Sequence, residues 1–221
     1  MNIVFLLFPN VTQLDFTGPA QVLSRLPGAS MHVAAATLDP VTTDCGFAIL
    51  PTCDFAHAPQ ADFLCIPGGH GVREAINDAA TVDFVRIQAA GAAWITSVCT
   101  GAFILGAAGL LRGKRATCHW AYTHLLSEYG ATHQAARVVR DGNLITAGGV
   151  TSGIDFALEC IATIAGDDVA QSVQLALEYD PAPPFASGHP SVAPDHILSA
   201  LREQVYDAAA KAMADAIADS A

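Results

Sequence analysis

Ser97-Val98-Cys99-Thr100-Gly101 is the stretch of this sequence best suited to covalent chemistry. It joins an apolar run, Ala93-Trp94-Ile95-Thr96, to a segment of small and apolar residues over 100–109. Small residues two before and two after a nucleophile are what a sharp strand-to-helix elbow requires, since that turn leaves no room for side chains. The pattern here is S-x-C-x-G rather than G-x-S-x-G. A cysteine so placed is expected to gain twice. The helix N-terminus favours its thiolate, and the Thr100 N–H can hold developing negative charge. The competing reading is a structural cysteine at a helix start.

Two further turns carry polar or permissive residues. Pro67-Gly68-Gly69-His70-Gly71 follows an apolar run, and its glycines let backbone approach a ligand. Its N–H groups are expected to complete an oxyanion hole beside Cys99, with Gly69 and His70 as binding residues. No Lys-Ser/Thr follows, so it is not a phosphate loop. In Leu14-Asp15-Phe16-Thr17-Gly18-Pro19, Asp15 suits either a helix cap or a general acid/base. His119, in Thr117-Cys118-His119-Trp120, is expected as a binding residue of the same site; beside Trp it reads more as a packed position than as the base that activates a thiol. Six cysteines stand at 45, 53, 65, 99, 118 and 160. They form no CxxC pair and match no zinc spacing, so no metal site is expected. Five read as core or boundary thiols of a reducing compartment.

These turns need a scaffold, and composition limits which. The chain has 221 residues, 52% of them hydrophobic, with a mean hydropathy of +0.39. That suits one folded α/β body and excludes global disorder. The formal net charge is −11. Such a balance argues against a nucleic-acid surface and against a polybasic membrane contact. The run Ile3-Val4-Phe5-Leu6-Leu7-Phe8 is too short to span a bilayer and reads as a buried strand.

Strand-like runs over 2–8, 31–36, 61–66 and 92–98 alternate with helix-like runs over 19–26, 81–90 and 100–109. A hairpin is expected around Asp141-Gly142-Asn143, followed by helices over 153–164 and 169–177. Pro19 is expected at a first helical position. The alternation implies a three-layer α/β sandwich, a mostly parallel sheet with helices on both faces. Working groups then gather at the carboxyl ends of the strands, where all three turns fall. One α/β domain is expected over 1–195. The prolines of 179–185 make an extended arm. Residues 196–221 are expected as a helical extension or partly disordered tail, and 207–221 is weakly amphipathic enough to fray.

Taken together, the elbow, the Pro-Gly-Gly-His-Gly turn, the Asp15–Pro19 turn and the Thr117–Trp120 stretch resemble the ThiJ/PfpI superfamily, of flavodoxin-like, class I glutamine amidotransferase-like fold. The resemblance runs from Met1 to about Asp195. It is strongest to the branch that adds water to isocyanides, giving N-substituted formamides, helped by Leu175–Pro181, Pro184-Phe185 and Gly188. It implies Cys99 as nucleophile, Asp15 as acid/base and Thr100 beside them. It also implies an isocyanide substrate, no cofactor and a homodimer, while the unpaired thiols lead to the expectation of a cytoplasmic location. Protease-like and deglycase-like branches usually carry His after the cysteine, where Thr100 stands here, or Glu where Asp15 stands. Ligand or redox sensing and glyoxalase or deglycase activity are the competing expectations.

Overall fold

Unbroken apolar runs need a place covered on both sides, and a central parallel strand supplies one. The computed structural model describes residues 1–220. In chain order the first elements are β1 (Asn2–Leu6), α1 (Gln13–Leu23), β2 (Ser30–Ala35), β3 (Val41–Thr42), β4 (Ala48–Ile49), β5 (Cys53–Asp54) and β6 (Phe63–Ile66). Then come α2 (Val72–Ala75), α3 (Ala79–Gly91), β7 (Trp94–Val98), α4 (Gly101–Ala107), β8 (Arg115–Ala116), a 3-10 helix (Trp120–Tyr129) and β9 (Thr132–His133). The chain continues through β10 (Val138–Asp141), β11 (Leu144–Ala147), α5 (Ser152–Ala165), α6 (Asp167–Ala176), α7 (Asp195–Leu201), a π-helical stretch (Arg202–Tyr206) and α8 (Asp207–Asp219).

The main sheet has the order β10-β11-β7-β6-β1-β2-β5. All neighbours run parallel except the β10–β11 hairpin. Gly142, at φ +67°, makes that hairpin turn. Alternate residues of β1 face opposite layers. Val4 and Leu6 join a core with residues of α2, α3, α4 and α8. Ile3 and Phe5 join one with residues of α1, α5 and α6. The expected three-layer sandwich is therefore the fold.

Chain order puts β2 on one side of β1 and β6 on the other. The loops leaving β1 and β6 thus flank the switch point of the sheet, where α/β proteins open a crevice. The two loops are laced together here: Thr12 N–H donates to the Gly68 carbonyl at 2.9 Å, and Gly71 N–H to the Asn10 carbonyl at 3.3 Å. Gly69, at φ +141°, has no room for a side chain, because a Cβ would lie 2.5 Å from both Asn10 O and Thr12 N.

Three details differ from the sequence reading. α1 starts at Gln13, so Pro19 lies inside it and Asp15 in its first turn. Asp44 explains the early start, since its carboxylate accepts the Gln13 N–H at 3.1 Å. Pro19 sacrifices one helical hydrogen bond, and its ring packs where α5 approaches at Gly153. The two-residue strands had too little pattern to be foreseen. Residues 178–194 are irregular, a longer stretch than the arm expected over 179–185, and are tied near their start by the Tyr179 hydroxyl donating to Asp155 Oδ1 at 2.7 Å. Beyond it the chain is helical through Asp219, and Met213 and Ile217 are buried. The last residue of the stretch expected to fray, Ala221, lies outside the described residues.

Candidate active site

Cys99 occupies the elbow that its flanking residues predict. Its φ is +59°, a left-handed conformation that few non-glycine residues adopt. The turn is pinned by the Cys99 N–H, which donates to the Ala147 and Gly148 carbonyls at 3.1 and 2.9 Å. The requirement for small neighbours is steric. A Cβ on Gly101 would lie 2.2 Å from the Ile66 carbonyl oxygen. Ser97 is fully buried.

Asp15 is fully buried as well. Its Oδ2 accepts the Gly68 N–H at 3.1 Å, and its Oδ1 has no hydrogen-bond partner. Carboxyl and thiol lie close enough to shift each other's titration, although no Asp15–Cys99 pair has the geometry of a formed hydrogen bond. Burial pushes the Asp15 pKa up to about 7, against opposing pulls from the thiol and the Gly68 N–H. Asp15 is therefore not the cap of its own helix.

The thiol departs from expectation. Burial, then the neighbouring carboxylate charge, raises the Cys99 pKa well above its usual value. The backbone N–H groups of Val150 and Thr100 face the sulfur and pull the other way. The helix terminus is thus present but outweighed, because removing a thiolate from water is the larger effect. The resting site near neutral pH is a protonated thiol beside a carboxyl group that titrates in the neutral range.

The Gly68-Gly69 amides do not form an open oxyanion hole. Gly68 N–H is held by Asp15, and Gly69 N–H donates to Thr100 Oγ1 at 2.9 Å. Thr100 thereby ties the glycine turn to the elbow. The two donors that do face the sulfur come from Thr100 and from Val150. Val150 belongs to a turn the sequence reading passed over, Gly148-Gly149-Val150, which follows β11 at the same sheet edge. Its φ of +26° is unusual for a β-branched residue. A glycine pair directly after an apolar strand was the available signal.

A cavity of about 290 Å³ opens over the thiol. Cys99, Thr100, Gly69, His70 and His119 line it, so the structure brings all of these to one place. Asp15 lies beneath it, out of solvent. His70 is exposed at the rim. His119 is held neutral, its pKa pushed down to about 4 by burial, and its Nδ1 accepts the Ala121 N–H at 3.3 Å. It supplies no positive charge to a thiolate. Its ring joins those of Trp120, Tyr122 and Tyr206. Arg73, Tyr122, Tyr206 and Met213 also line the cavity and were not foreseen. A wider cavity of about 650 Å³ adjoins through His119 and Val150. Cys53 lies apart, on edge strand β5, and lines neither cavity. Among the described residues no group of three or more His, Cys, Asp or Glu side chains could hold a metal ion.

A three-layer α/β sandwich with a cysteine elbow over a buried carboxyl group defines a class of thiol-dependent α/β proteins. Within that class the chain belongs to the DJ-1/PfpI family, whose pattern it matches over residues 1–163. It is 53% identical over 204 residues to the isonitrile hydratase of Pseudomonas putida, covering 92% of this chain and 90% of that protein. A crystal structure of a ThiJ/PfpI family protein from Pseudomonas syringae superimposes with a TM-score of 0.94 at 42% identity, covering 98% of this chain and 90% of the other. Drosophila melanogaster DJ-1beta superimposes with a TM-score of 0.72 at 27% identity, covering 80% and 97%.

Proposed function

We propose that this protein hydrates isocyanides to N-substituted formamides, with Cys99 as nucleophile and Asp15 as the single acid/base. The carrying observation is the pairing of a protonated thiol with a carboxyl group titrating near neutrality, in a chain 53% identical to an isonitrile hydratase over nearly its full length.

Resting protonation states suit an addition across the isocyanide carbon. Asp15 carboxylate takes the thiol proton as sulfur attacks that carbon. It then gives the same proton to the carbon, leaving a thioimidate, R–N=CH–S–Cys99. Water adds next: its hydroxide forms the new C–O bond, and its proton passes through Asp15 to nitrogen. The tetrahedral adduct collapses by breaking the C–S bond, and the hydroxyl proton returns through Asp15 to sulfur. The product is R–NH–CHO. No electrons are gained or lost, and one carboxyl group serves every transfer. The N–H groups of Thr100 and Val150 stabilise the sulfur whenever it carries charge. Thr100 keeps the turn and elbow in register. Gly69 and His70 border the substrate, and His119 packs against it as a neutral ring. A buried, protonated thiol oxidises slowly, which speaks against peroxide sensing.

Formamide formation from para-nitrophenyl isocyanide, followed by absorbance, tests the reaction. Wild type should turn over. Cys99→Ala and Asp15→Asn should each lose at least about 10³-fold in kcat/KM, the scale of nucleophile and acid/base removal. Full activity in either variant would overturn the assignment. For assembly and location we propose a cytoplasmic homodimer, with the arm around Phe185, 78% exposed, at the contact. Sedimentation velocity showing only monomer at micromolar concentration would remove the dimer. No helix among the described residues is long and apolar enough to cross a membrane.

A further inference from the structure

The family match ends at residue 163, yet the cavity over Cys99 is not closed by the matched region alone. Tyr206, Ala209 and Met213 complete its wall. Tyr206 ends the π-helical stretch Arg202–Tyr206, and such wide turns commonly mark functional positions. Its ring centroid stands 5.1 Å from that of His119, 4.8 Å from Trp120 and 6.2 Å from Tyr122. Tyr122 and Tyr206 both feel the charge of the Cys99 sulfur. Met213 lies on the next turns of α8 and is buried.

Behind this wall α8 is fastened independently of it. Asn77 Nδ2 donates to the Ala216 carbonyl at 3.0 Å, the Tyr129 hydroxyl pairs with Ser220 Oγ at 3.2 Å, and Ile217 is buried. The far end of α8 is thus anchored to the body, while Tyr206 faces its neighbours through rings. An open cavity of about 290 Å³ falls just below the usual range of small-molecule clefts. It holds one compact organic molecule, or about ten waters.

We infer that the C-terminal segment is the specificity-determining wall of this site: Tyr206 and Met213 confine the group next to the reacting carbon to a compact substituent. The identity of the substrate rests on the hydratase reading above; the confinement of Cys99 does not. Apolar and aromatic walls discriminate by volume and by ring packing. Larger substituents are disfavoured because the Tyr206 ring, packed against His119, Trp120 and Tyr122, stands across the space they would need.

The test compares two size-graded series on the full chain. One is hydration of a small alkyl, a phenyl and a naphthyl isocyanide. The other is alkylation of Cys99 by iodoacetamide and by its N-naphthyl derivative, which needs no hydratase activity. Tyr206→Ala should raise the naphthyl-to-alkyl ratio of kcat/KM at least about tenfold and the matching alkylation ratio in the same direction. Met213→Ala should do so more weakly. Tyr206→Phe, which keeps the ring, should leave both ratios within about twofold of wild type, and thermal melts verify that each variant is folded. Unchanged ratios in folded Tyr206→Ala, in both series, would overturn the inference. A shifted alkylation ratio without any formamide from wild type would support the wall and refute the hydratase reading.

Discussion

Asp15 combines two properties at the scale of one residue, full burial and a pKa near 7. In the proposed mechanism activity should therefore rise with pH through about 7, as Asp15 loses its proton and can take that of the thiol. It should fall at high pH, where the thiolate leaves no proton for the carbon. His119, neutral above about pH 4, contributes no limb near neutrality. His119→Asn should keep the ascending limb in a pH–kcat/KM profile, and disappearance of that limb would reassign the base. The same group governs stability. The folded protein holds the Asp15 proton up to about pH 7, while the carboxyl's ordinary value is 3.8. Between those values the native state binds more protons, so stability falls as pH rises, and the penalty is complete above 7. Its upper bound is on the order of 4 kcal/mol. Asp15→Asn should thus melt higher than wild type at pH 8, with the difference shrinking toward pH 4. Calorimetry across that range measures it.

At the scale of elements, the site is an intersection of loops from neighbouring parallel strands. The loop after β6 delivers Gly68 to Asp15 and Gly69 to Thr100. The elbow after β7 delivers Cys99, and the turn after β11 delivers Val150. Gly68 is the tightest joint. A Cβ there would lie 2.6 Å from Thr100 N and Oγ1 and 2.9 Å from Asp15 Oδ2. Gly68→Ala should push the carboxyl away from the thiol. A loss of at least about 10²-fold in kcat is expected, since misplacement by about an ångström has that effect, with destabilisation of about 1–3 kcal/mol. Single-turnover kinetics and urea melts read the two separately. Wild-type kcat in a stable Gly68→Ala protein would show that this approach is not required.

At the scale of the molecule, two cores clamp the sheet, and the site sits where their edges meet. Cys99 belongs to the layer with α1, α5 and α6, while Tyr122 and Met213 belong to the opposite one. Phe156 of α5 is fully buried and stands 6.5 Å from Phe63 of β6. Phe156→Ala should cost about 3–5 kcal/mol. The midpoint of urea unfolding should fall with little change in slope, and a loss under 1 kcal/mol would contradict the packing described. The sequence by itself determined the layer order, because unbroken apolar strands alternating with helices admit few arrangements. It also placed Cys99 on its elbow, since Gly101 and Ser97 report a turn without space. Asp15, Thr100, Gly69, His70 and His119 were each marked by local pattern. Only the tertiary structure decided what those groups are worth. Whether the Cys99 proton stays on sulfur depends on burial and on a carboxylate 84 residues earlier in the chain, and no local spacing encodes either. Tyr206 and Met213 escaped notice for the same reason: they reach Cys99 through the packing of α8, a contact made across more than a hundred residues of chain.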